Sequence, residues 1–248
     1  MLERELGESL TLDGLTGSWS IFQRVRGHRH SVDDVLTAAY ALAVSPRVER
    51  HLDLGTGIGT VGLLVLWGMG EAATVTAIEA QTVSHRLLLA NIAYNGLAER
   101  VTPLLGDLRE LALSERFPLI TGSPPYFPPS AGIVPQDSQK AHARFELRGD
   151  VSDYARAAVR HLTPEGWFVF CFPTPQQARA RAAVASAGLQ LARVREVIPR
   201  AGLAPLFSLF ACHLGGAAET VIDEALTVRD EAGELTPAMQ QVRRGFGF

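Results

Sequence analysis

A glycine-rich segment constrains the fold of this chain more than any other feature. Residues 53–59 read Asp-Leu-Gly-Thr-Gly-Ile-Gly, with an apolar stretch before them and an apolar helical pattern after them. A strand that ends in such a turn and opens a helix brings backbone N–H groups close to a ligand, because glycine has no Cβ to hold the ligand away. Gly57, Gly59 and Gly62 also match the G-x-G-x-x-G spacing of dinucleotide-binding proteins, but this match alone does not name the ligand.

Strand and helix patterns alternate from residue 49 onward, which is typical of a parallel sheet with right-handed crossovers. The sequence predicts strands at 49–54, 74–79, 100–105, 117–122, 167–172, 190–197 and 206–213. It predicts helices at 59–69, 82–94, 152–161 and 175–187, and a turn at 164–166. Residues 127–150 form a long polar connection without periodicity, and connections of this length are usually functional.

The segment before this region has patterns of its own. They predict two short strands at residues 9–12 and 19–23, a turn between them at 13–14, and a helix at 31–44. Ser31 is the N-cap of that helix, and two acidic residues follow it in the first turn. We therefore predict that residues 1–45 form a strand-and-helix extension packed on the core and that residues 46–248 form the main α/β domain.

Composition and charge exclude several classes of protein. The 248 residues carry a net charge of −3, so a globally basic nucleic-acid binder is excluded and any nucleic-acid contact needs a local patch. The two cysteines, Cys171 and Cys212, lie in apolar runs far apart, and no metal-ligand spacing occurs, which predicts buried free thiols and no metal. The sequence shows neither a signal pattern nor a membrane-spanning run, so we expect a cytoplasmic protein without a membrane partner.

Small or hydrogen-bonding residues follow four of the predicted strands. They are Gly55, Glu79, Asp107 and Ser123. The carboxyl ends of parallel strands share one edge of a sheet, where ligands bind. Glu79 lies seventeen residues after Gly62, a spacing that suits a carboxylate accepting both hydroxyls of a ribose. Asp107 can accept from the exocyclic amine of an adenine ring.

The segment Ser123-Pro124-Pro125-Tyr126 directly follows the fourth of these strands. Its prolines remove backbone donors and stiffen the loop, which leaves the Ser123 hydroxyl and the Pro124 carbonyl free to accept hydrogen bonds. Two acceptors on an aromatic NH₂ group favour the tetrahedral geometry in which the nitrogen lone pair becomes nucleophilic, and Tyr126 offers a flat face beside it. The alternative is a rigid turn with a tyrosine in the core.

A basic cluster precedes the Ser31 helix. Its members are Arg24, Arg26, His28, Arg29 and His30. A cluster of this kind favours contact with phosphates, although a solvated face would give the same pattern.

These motifs resemble those of a known family. Residues 53–59 resemble the S-adenosylmethionine motif of class I methyltransferases, and residues 123–126 resemble the (Asp/Asn/Ser)-Pro-Pro-Tyr motif of amino-group methyltransferases. Residues 23–36 and 143–146 are similar to stretches of the bacterial tRNA (adenine-N6)-methyltransferases, which modify the purine beside the anticodon of valine tRNA. The resemblance covers residues 15–230.

The resemblance implies a Rossmann-like α/β fold with a seven-stranded, mostly parallel sheet, a C-terminal antiparallel hairpin and an antiparallel last strand. It implies an enzyme that transfers a methyl group from S-adenosylmethionine to adenine N6 in a tRNA anticodon loop. It places S-adenosylmethionine against Asp33, Asp53, Gly55, Gly57, Glu79, Asp107 and Ser123. The implied catalytic residues are Ser123, Pro124 and Tyr126. The implied contacts to tRNA are Arg24, Arg26, Arg29, His30, Tyr126, Phe127 and Arg144.

Ser123 departs from this subgroup, which has asparagine at the position. Serine is known there in enzymes that methylate the exocyclic amine of cytosine. Three alternative functions remain open: an N5-glutamine methyltransferase acting on a release factor, a nicotinamide-dependent oxidoreductase, and a cofactor-binding protein without activity.

Overall fold

The apolar stretches of the sequence form the strands. The structure, a computed structural model, describes residues 2–216 and 219–248, within which ten strands form. They are β1 (Leu10–Thr16), β2 (Trp19–Arg24), β3 (Arg50–Leu54), β4 (Thr74–Glu79), β5 (Val101–Leu105), β6 (Phe117–Gly122), β7 (Leu162–Pro173), β8 (Leu189–Arg200), β9 (Phe207–Leu214) and β10 (Val221–Arg229).

The same described residues contain eight α-helices. They are α1 (Leu2–Leu6), α2 (Val32–Val44), α3 (Thr60–Met69), α4 (Thr82–Tyr94), α5 (Ser138–Arg144), α6 (Val151–His161), α7 (Gln177–Ser186) and α8 (Pro237–Gly245). Local signals account for their limits. Asp33 and Asp34 lie in the first turn of α2, where they complement the helix dipole. Asp150 caps α6 by accepting from two backbone N–H groups.

Strands β3 to β10 form one sheet, in the order β10-β8-β9-β7-β6-β3-β4-β5. All neighbours are parallel except that β9 runs antiparallel to both β7 and β8. The chain leaves β3 toward β4 and β5, then returns to β6 on the other side of β3. This reversal is a topological switch point, and it lies between β3 and β6.

Two apolar clusters cover the two faces of the sheet. One packs α2, α3 and α4 against the strands, and the other packs α6 and α7. The sheet is therefore the middle of three layers, which holds the carboxyl ends of its strands rigidly at one edge.

The N-terminal hairpin β1–β2 packs on α4. Buried Asn91 accepts from the Phe22 backbone N–H at 2.7 Å, and Asn95 accepts from the Ser20 N–H at 2.9 Å. These contacts agree with an N-terminal extension that packs on the core, while its division from the main domain at residue 46 stays a prediction. Helix α2, however, belongs to the layers on the sheet.

Several predicted elements match the structure and others differ from it. The limits of β4, β6 and α4 and the β8–β9 hairpin are confirmed. The sheet has eight strands instead of seven, because residues 221–229, of mixed apolar and polar character, add β10 parallel to β8 at the edge. The last strand is thus parallel, and the antiparallel strand is β9.

The other differences are local. The predicted turn at 13–14 is wrong, because both residues pair with β2, and the chain turns at Gly17, whose φ is +47°. Strand β7 begins at Leu162 and includes the predicted 164–166 turn, with a register shift against β6. The 127–150 connection contains α5 and is held by a bridge between Phe127 and Phe145.

Candidate active site

Strand register brings the four predicted strand ends together. Leu54 at the end of β3 lies beside Gly122 at the end of β6, so Gly55 and Ser123 follow on neighbouring strands. Glu79 ends β4 and pairs with Leu105, two residues before Asp107. A cleft that encloses about 1020 Å³, including its open mouth, lies over these ends. We call it the strand-end cleft.

The strand-end cleft contains most of the predicted cofactor residues. Its lining includes Asp53, Gly55, Gly57, Glu79, Asp107 and Ser123, and also Arg29 and His30 of the basic cluster. Seven predicted residues do not line it: Asp33, Pro124, Tyr126, Phe127, Arg24, Arg26 and Arg144. Most of the residues predicted to bind the cofactor thus lie in the strand-end cleft, and most of those predicted to bind tRNA lie outside it.

Asp53 fixes the shape of the glycine-rich turn. Its buried carboxylate accepts from Thr56 Oγ1 at 2.6 Å, from the Gly62 N–H at 3.0 Å and from Thr121 Oγ1 at 2.6 Å. Burial raises the pKa of Asp53, and these three donors oppose that shift. The turn is thus held from inside by a carboxylate that the sequence predicts only as a ligand contact.

Gly55 and Gly57 share one reason to be glycine, and Gly55 has a second. Both have positive φ, +62° and +61°, which L side chains rarely adopt. A Cβ on Gly55 would also meet Tyr154 Oη at 2.1 Å, whereas a Cβ on Gly57 would meet nothing within 4 Å. Gly57 therefore faces open space, where a ligand can reach its backbone.

Glu79 is the carboxylate best placed to hold polyhydroxyl groups. Its side chain accepts from the Gly57 N–H at 2.9 Å through Oε2 and from the Gln81 N–H at 2.6 Å through Oε1. A carboxylate has about four lone-pair sites, so acceptor capacity remains for a ligand. Glu79 is only 5% exposed, and this burial raises its pKa to about 7. The carboxyl group therefore changes charge near neutral pH.

Asp107 is held by its neighbour. Its carboxylate accepts from the Arg109 backbone N–H at 2.9 Å and pairs with the Arg109 guanidinium at 2.7 Å. These contacts lower the pKa of Asp107, with the side-chain hydrogen bond as the main cause. Asp107 lines the cleft, and its carboxylate is already paired with Arg109.

Asp34, and not Asp33, lies in the strand-end cleft. Its carboxylate accepts from the Ser31 N–H at 2.9 Å, and burial together with nearby Asp33 raises its pKa well above the usual range. Asp33 turns away and accepts from the Tyr126 hydroxyl at 2.9 Å. The sequence places an acid here correctly but chooses the adjacent residue.

Tyr126 is turned into the protein. Burial raises the pKa of its hydroxyl, and its ring makes edge contacts with Phe127 and Phe172 at centroid distances of 6.4 and 6.0 Å. The backbone N–H groups of Tyr126 and Phe127 both donate to the Arg144 carbonyl, which joins the motif to α5. Pro124 is buried, whereas Ser123 is half-buried and Pro125 borders the cleft. Stacking of a base on Tyr126 stays a prediction.

The basic cluster is not a uniform phosphate patch. Arg24 pairs with Asp137 at 2.8 Å and with Glu8, and Arg29 pairs with Asp13 at 2.9 Å. Arg26 and Arg144 are exposed. The cluster therefore divides into arginines that join elements of the fold and arginines that face solvent.

Sequence reasoning misses four polar residues that shape this region: Tyr154, His51, Thr121 and Cys171. Buried His51 lies 2.7 Å from Thr121 Oγ1, which in turn donates to Asp53. Burial lowers the pKa of His51 to about 3, so the ring is neutral. Polar residues inside apolar strands were the available signal for His51 and Thr121, whereas the contacts of Tyr154 and Cys171 exist only in the folded chain.

The residues present fit an adenosine with a positively charged sulfonium. Open space at Gly57, a carboxylate at Glu79 and a half-buried second acid at Asp34 provide close backbone approach, acceptors for hydroxyls and a carboxyl group whose charged form a bound cation favours. Glu79 and Ser123 border the same cleft, so a ligand on Glu79 can extend to the Pro-Pro-Tyr motif.

Comparisons with known proteins agree with this geometry. No family model matches the chain. The chain is similar to the tRNA1(Val) (adenine(37)-N6)-methyltransferase of Citrobacter koseri, with 30% identity over 147 residues, 58% of this chain and 58% of the relative. It thus spans little more than half of that relative's length. A protein of the same name from Actinobacillus pleuropneumoniae is 22% identical over 206 residues, which cover 83% of this chain and 85% of the relative.

Solved structures show the fold. A protein described as a predicted O-methyltransferase from Agrobacterium tumefaciens has a TM-score of 0.67 and 20% identity, over 87% of this chain and 97% of that chain. Residues 2–216 and 219–248 also show no helix long and apolar enough to cross a membrane. With its glycine-rich turn after β3, its switch point and its antiparallel β9, this chain has the Rossmann-like fold of class I methyltransferases.

Proposed function

We propose that this chain is a methyltransferase that uses S-adenosylmethionine to methylate N6 of adenine 37, beside the anticodon of tRNA1(Val). The observation that carries the proposal is that Glu79 and Ser123 border one cleft. A carboxylate that can bind a nucleoside and a motif that can accept hydrogen bonds from an amine therefore border the same space. The names of the curated relatives support the choice of substrate.

The residues of the strand-end cleft have separate tasks in this proposal. Glu79 accepts the ribose hydroxyls, and Gly57 allows close approach. Asp34 places a carboxyl group near the sulfonium, whose positive charge favours the ionised form of that group. Bound S-adenosylmethionine supplies an electrophilic methyl group. Ser123 Oγ and the Pro124 carbonyl accept the two hydrogens of the target amine, which turns its lone pair toward the methyl carbon. The rate enhancement comes mainly from this positioning, and one amine proton leaves to solvent.

The tRNA approaches from the exposed side of the basic cluster. Arg26 and Arg144 are the exposed cations of the predicted set, and Arg148 borders the cleft as well. An anticodon loop presents unpaired bases, so flipping its adenine into the cleft costs only a few kcal/mol. We place this reaction in the cytoplasm, where tRNA is available.

Methyl transfer with labelled S-adenosylmethionine tests the proposal. Purified protein is incubated with unmodified valine tRNA, with the same tRNA carrying guanine at position 37, or with a release factor. We expect label only in the first, recovered as N6-methyladenosine. Label in the release factor would support glutamine methylation instead. Label recovered as methylcytidine would show that the target base is cytosine and not adenine.

Ligand binding separates the remaining alternatives. S-adenosylhomocysteine should raise the melting temperature, and NAD should not. Stabilisation by NAD alone would favour the oxidoreductase. Stabilisation by S-adenosylhomocysteine without transfer to either substrate would favour a cofactor-binding protein without activity.

A further inference from the structure

The position of Ser123 in the cleft does not determine where its hydroxyl proton points. A hydroxyl can donate or accept, whereas a target amine needs an acceptor. If the Ser123 proton pointed into the cleft, it would oppose the N–H groups of the amine. The hydroxyl proton must therefore be directed elsewhere for the proposed reaction.

Three side chains meet behind Ser123. Cys171 on β7 has its Sγ 3.6 Å from Ser123 Oγ and 3.3 Å from the Tyr126 hydroxyl oxygen, and it is fully buried. Tyr126 lies 2.9 Å from Asp33 Oδ2. Sulfur hydrogen bonds are long and weak, but these distances lie within their normal range.

The protons in this cluster can be assigned in order. The carboxylate of Asp33 cannot donate, so the single Tyr126 proton goes to Asp33 and leaves the Tyr126 oxygen as an acceptor. Thr37, which also contacts the thiol, uses its own proton on the Asp33 backbone carbonyl at 2.7 Å. Both neighbours of Cys171 other than Ser123 are thus restricted to accepting.

The thiol keeps its proton, because burial raises the pKa of Cys171 to about 12. Tyr126 and Thr37 can both accept that proton, and in this arrangement the sulfur lone pairs are free to face Ser123. With the sulfur as acceptor, a Ser123 hydroxyl that donates to it turns the lone pairs of Ser123 Oγ to the cleft.

We propose that Cys171 is a positioning residue, whose sulfur accepts the Ser123 proton and thereby makes Ser123 an acceptor for the target amine. This inference rests on the proposed amine methylation. It adds a role for Cys171, and it explains why Tyr126 and Asp33 are joined behind the motif.

Kinetics with a matched control give the first test. Cys171→Ala removes the sulfur, and Cys212→Ala makes the same change at an equally buried thiol on β9. We expect Cys171→Ala to lower kcat roughly 3- to 10-fold, the worth of one weak hydrogen bond, without changing the KM for S-adenosylmethionine. Cys212→Ala should leave kcat unchanged. Equal losses in both variants would refute the positioning role.

A second background separates orientation from packing. In Ser123→Asn the carboxamide oxygen is an acceptor by its chemistry, so it needs no sulfur to orient it. Adding Cys171→Ala to Ser123→Asn should therefore cause no further loss of kcat. A loss as large as in the parent chain would show that Cys171 acts through packing.

Infrared spectroscopy tests the relay without any substrate. The S–H stretching band of Cys171 is identified as the band that Cys171→Ala removes, and the Cys212 band serves as an internal reference. Combining Thr37→Val with Tyr126→Phe removes both acceptors, so the Cys171 band should move to higher frequency while the Cys212 band stays. An unmoved Cys171 band would overturn the relay even in an active enzyme. A moved band in a chain that methylates no substrate would instead count against the proposed function alone.

Discussion

At the scale of single residues, Glu79 links ligand binding to pH. Its raised pKa of about 7 means that the carboxyl is partly protonated in the free protein at neutral pH. Ribose hydroxyls donate to the charged form, so S-adenosylhomocysteine affinity should rise as pH increases from 6 to 8 and level off above. The change should approach about tenfold per pH unit below 7.

Isothermal titration calorimetry across this range measures the effect. Glu79→Gln keeps the size of the side chain and removes its titration, so its weaker affinity should not vary with pH in this way. A wild-type affinity that is constant from pH 6 to 8 would refute the role of Glu79.

Ser123 gives a second prediction at this scale. Ser123→Ala should lower kcat roughly 10- to 100-fold, because one acceptor for the amine is lost, while S-adenosylhomocysteine affinity stays the same. Single-turnover kinetics and calorimetry measure the two quantities separately. Ser130→Ala, an exposed change in the same loop, is the control. Parallel losses of turnover and affinity would contradict an acceptor role.

Residue types at the strand ends were predictable, and their contacts were not. Gly55, Glu79, Asp107 and Ser123 follow from the rule that ligands bind at the carboxyl ends of parallel strands. The choice between Asp33 and Asp34 depends on the rotation of α2 about its axis. That rotation is set by packing against the sheet, which a single sequence does not state.

At the scale of elements, Arg24 joins three parts of the chain. It pairs with Glu8 before β1 and with Asp137 before α5, with 13% of its side chain exposed. Arg24→Ala should lower the free energy of unfolding by about 1 to 3 kcal/mol, because it leaves two partly buried carboxylates unpaired. Urea denaturation measures this loss.

Arg26 in the same segment is exposed and gives the opposite expectation. Arg26→Ala should leave the free energy of unfolding nearly unchanged, because the side chain is exposed. It should reduce the slope of log binding constant against log salt concentration for tRNA by about 0.7, the contribution of one phosphate contact on single-stranded RNA. Arg24→Ala should leave that slope unchanged. The reverse pattern, with Arg24 carrying the salt dependence, would show that the two arginines have been assigned wrongly.

Elements with strong patterns were predictable to within a residue or two. Helix α4 has buried Leu87, Leu88 and Ile92 on one face and ends before Asn95-Gly96, so its pattern and its stop signal agree. Strand β10 has no such signal. It lies at the sheet edge, and Asp223 within it is a residue type that favours loops. Its carboxylate is paired with Arg193 and accepts from the Tyr40 hydroxyl, contacts that exist only in the folded chain.

At the scale of the whole molecule, His51 makes stability depend on pH. Its pKa is about 3 in the folded chain, and an unfolded histidine has a pKa near 6.5, so the unfolded state binds one more proton between these values. Stability from this group is therefore present above pH 6.5 and is lost as pH falls, at about 1.4 kcal/mol per pH unit.

Urea denaturation at pH 7.5 and pH 5 tests this prediction. His51→Gln retains a donor toward Thr121 and does not titrate, so the variant should lose less stability than the wild-type chain at the lower pH. An equal loss in both proteins would show that His51 does not carry this dependence.

The fold of the whole molecule was predictable because alternating strands and helices allow few topologies. The proposed function rests on two motifs that are visible in the sequence and follow neighbouring strands, and the register of Leu54 and Gly122 brings them into one cleft. The cluster of Cys171, Tyr126 and Asp33 was not, since it joins β7, the motif loop and α2 across more than a hundred residues.

Nucleoside mass spectrometry of valine tRNA tests the central claim most directly. The tRNA is purified from cells with and without this protein, and adenine 37 is examined for a methyl group on N6. We predict that the modification is absent without the protein and returns with the wild-type chain but not with Ser123→Ala. Full N6-methylation of adenine 37 in cells that lack the protein would contradict the account.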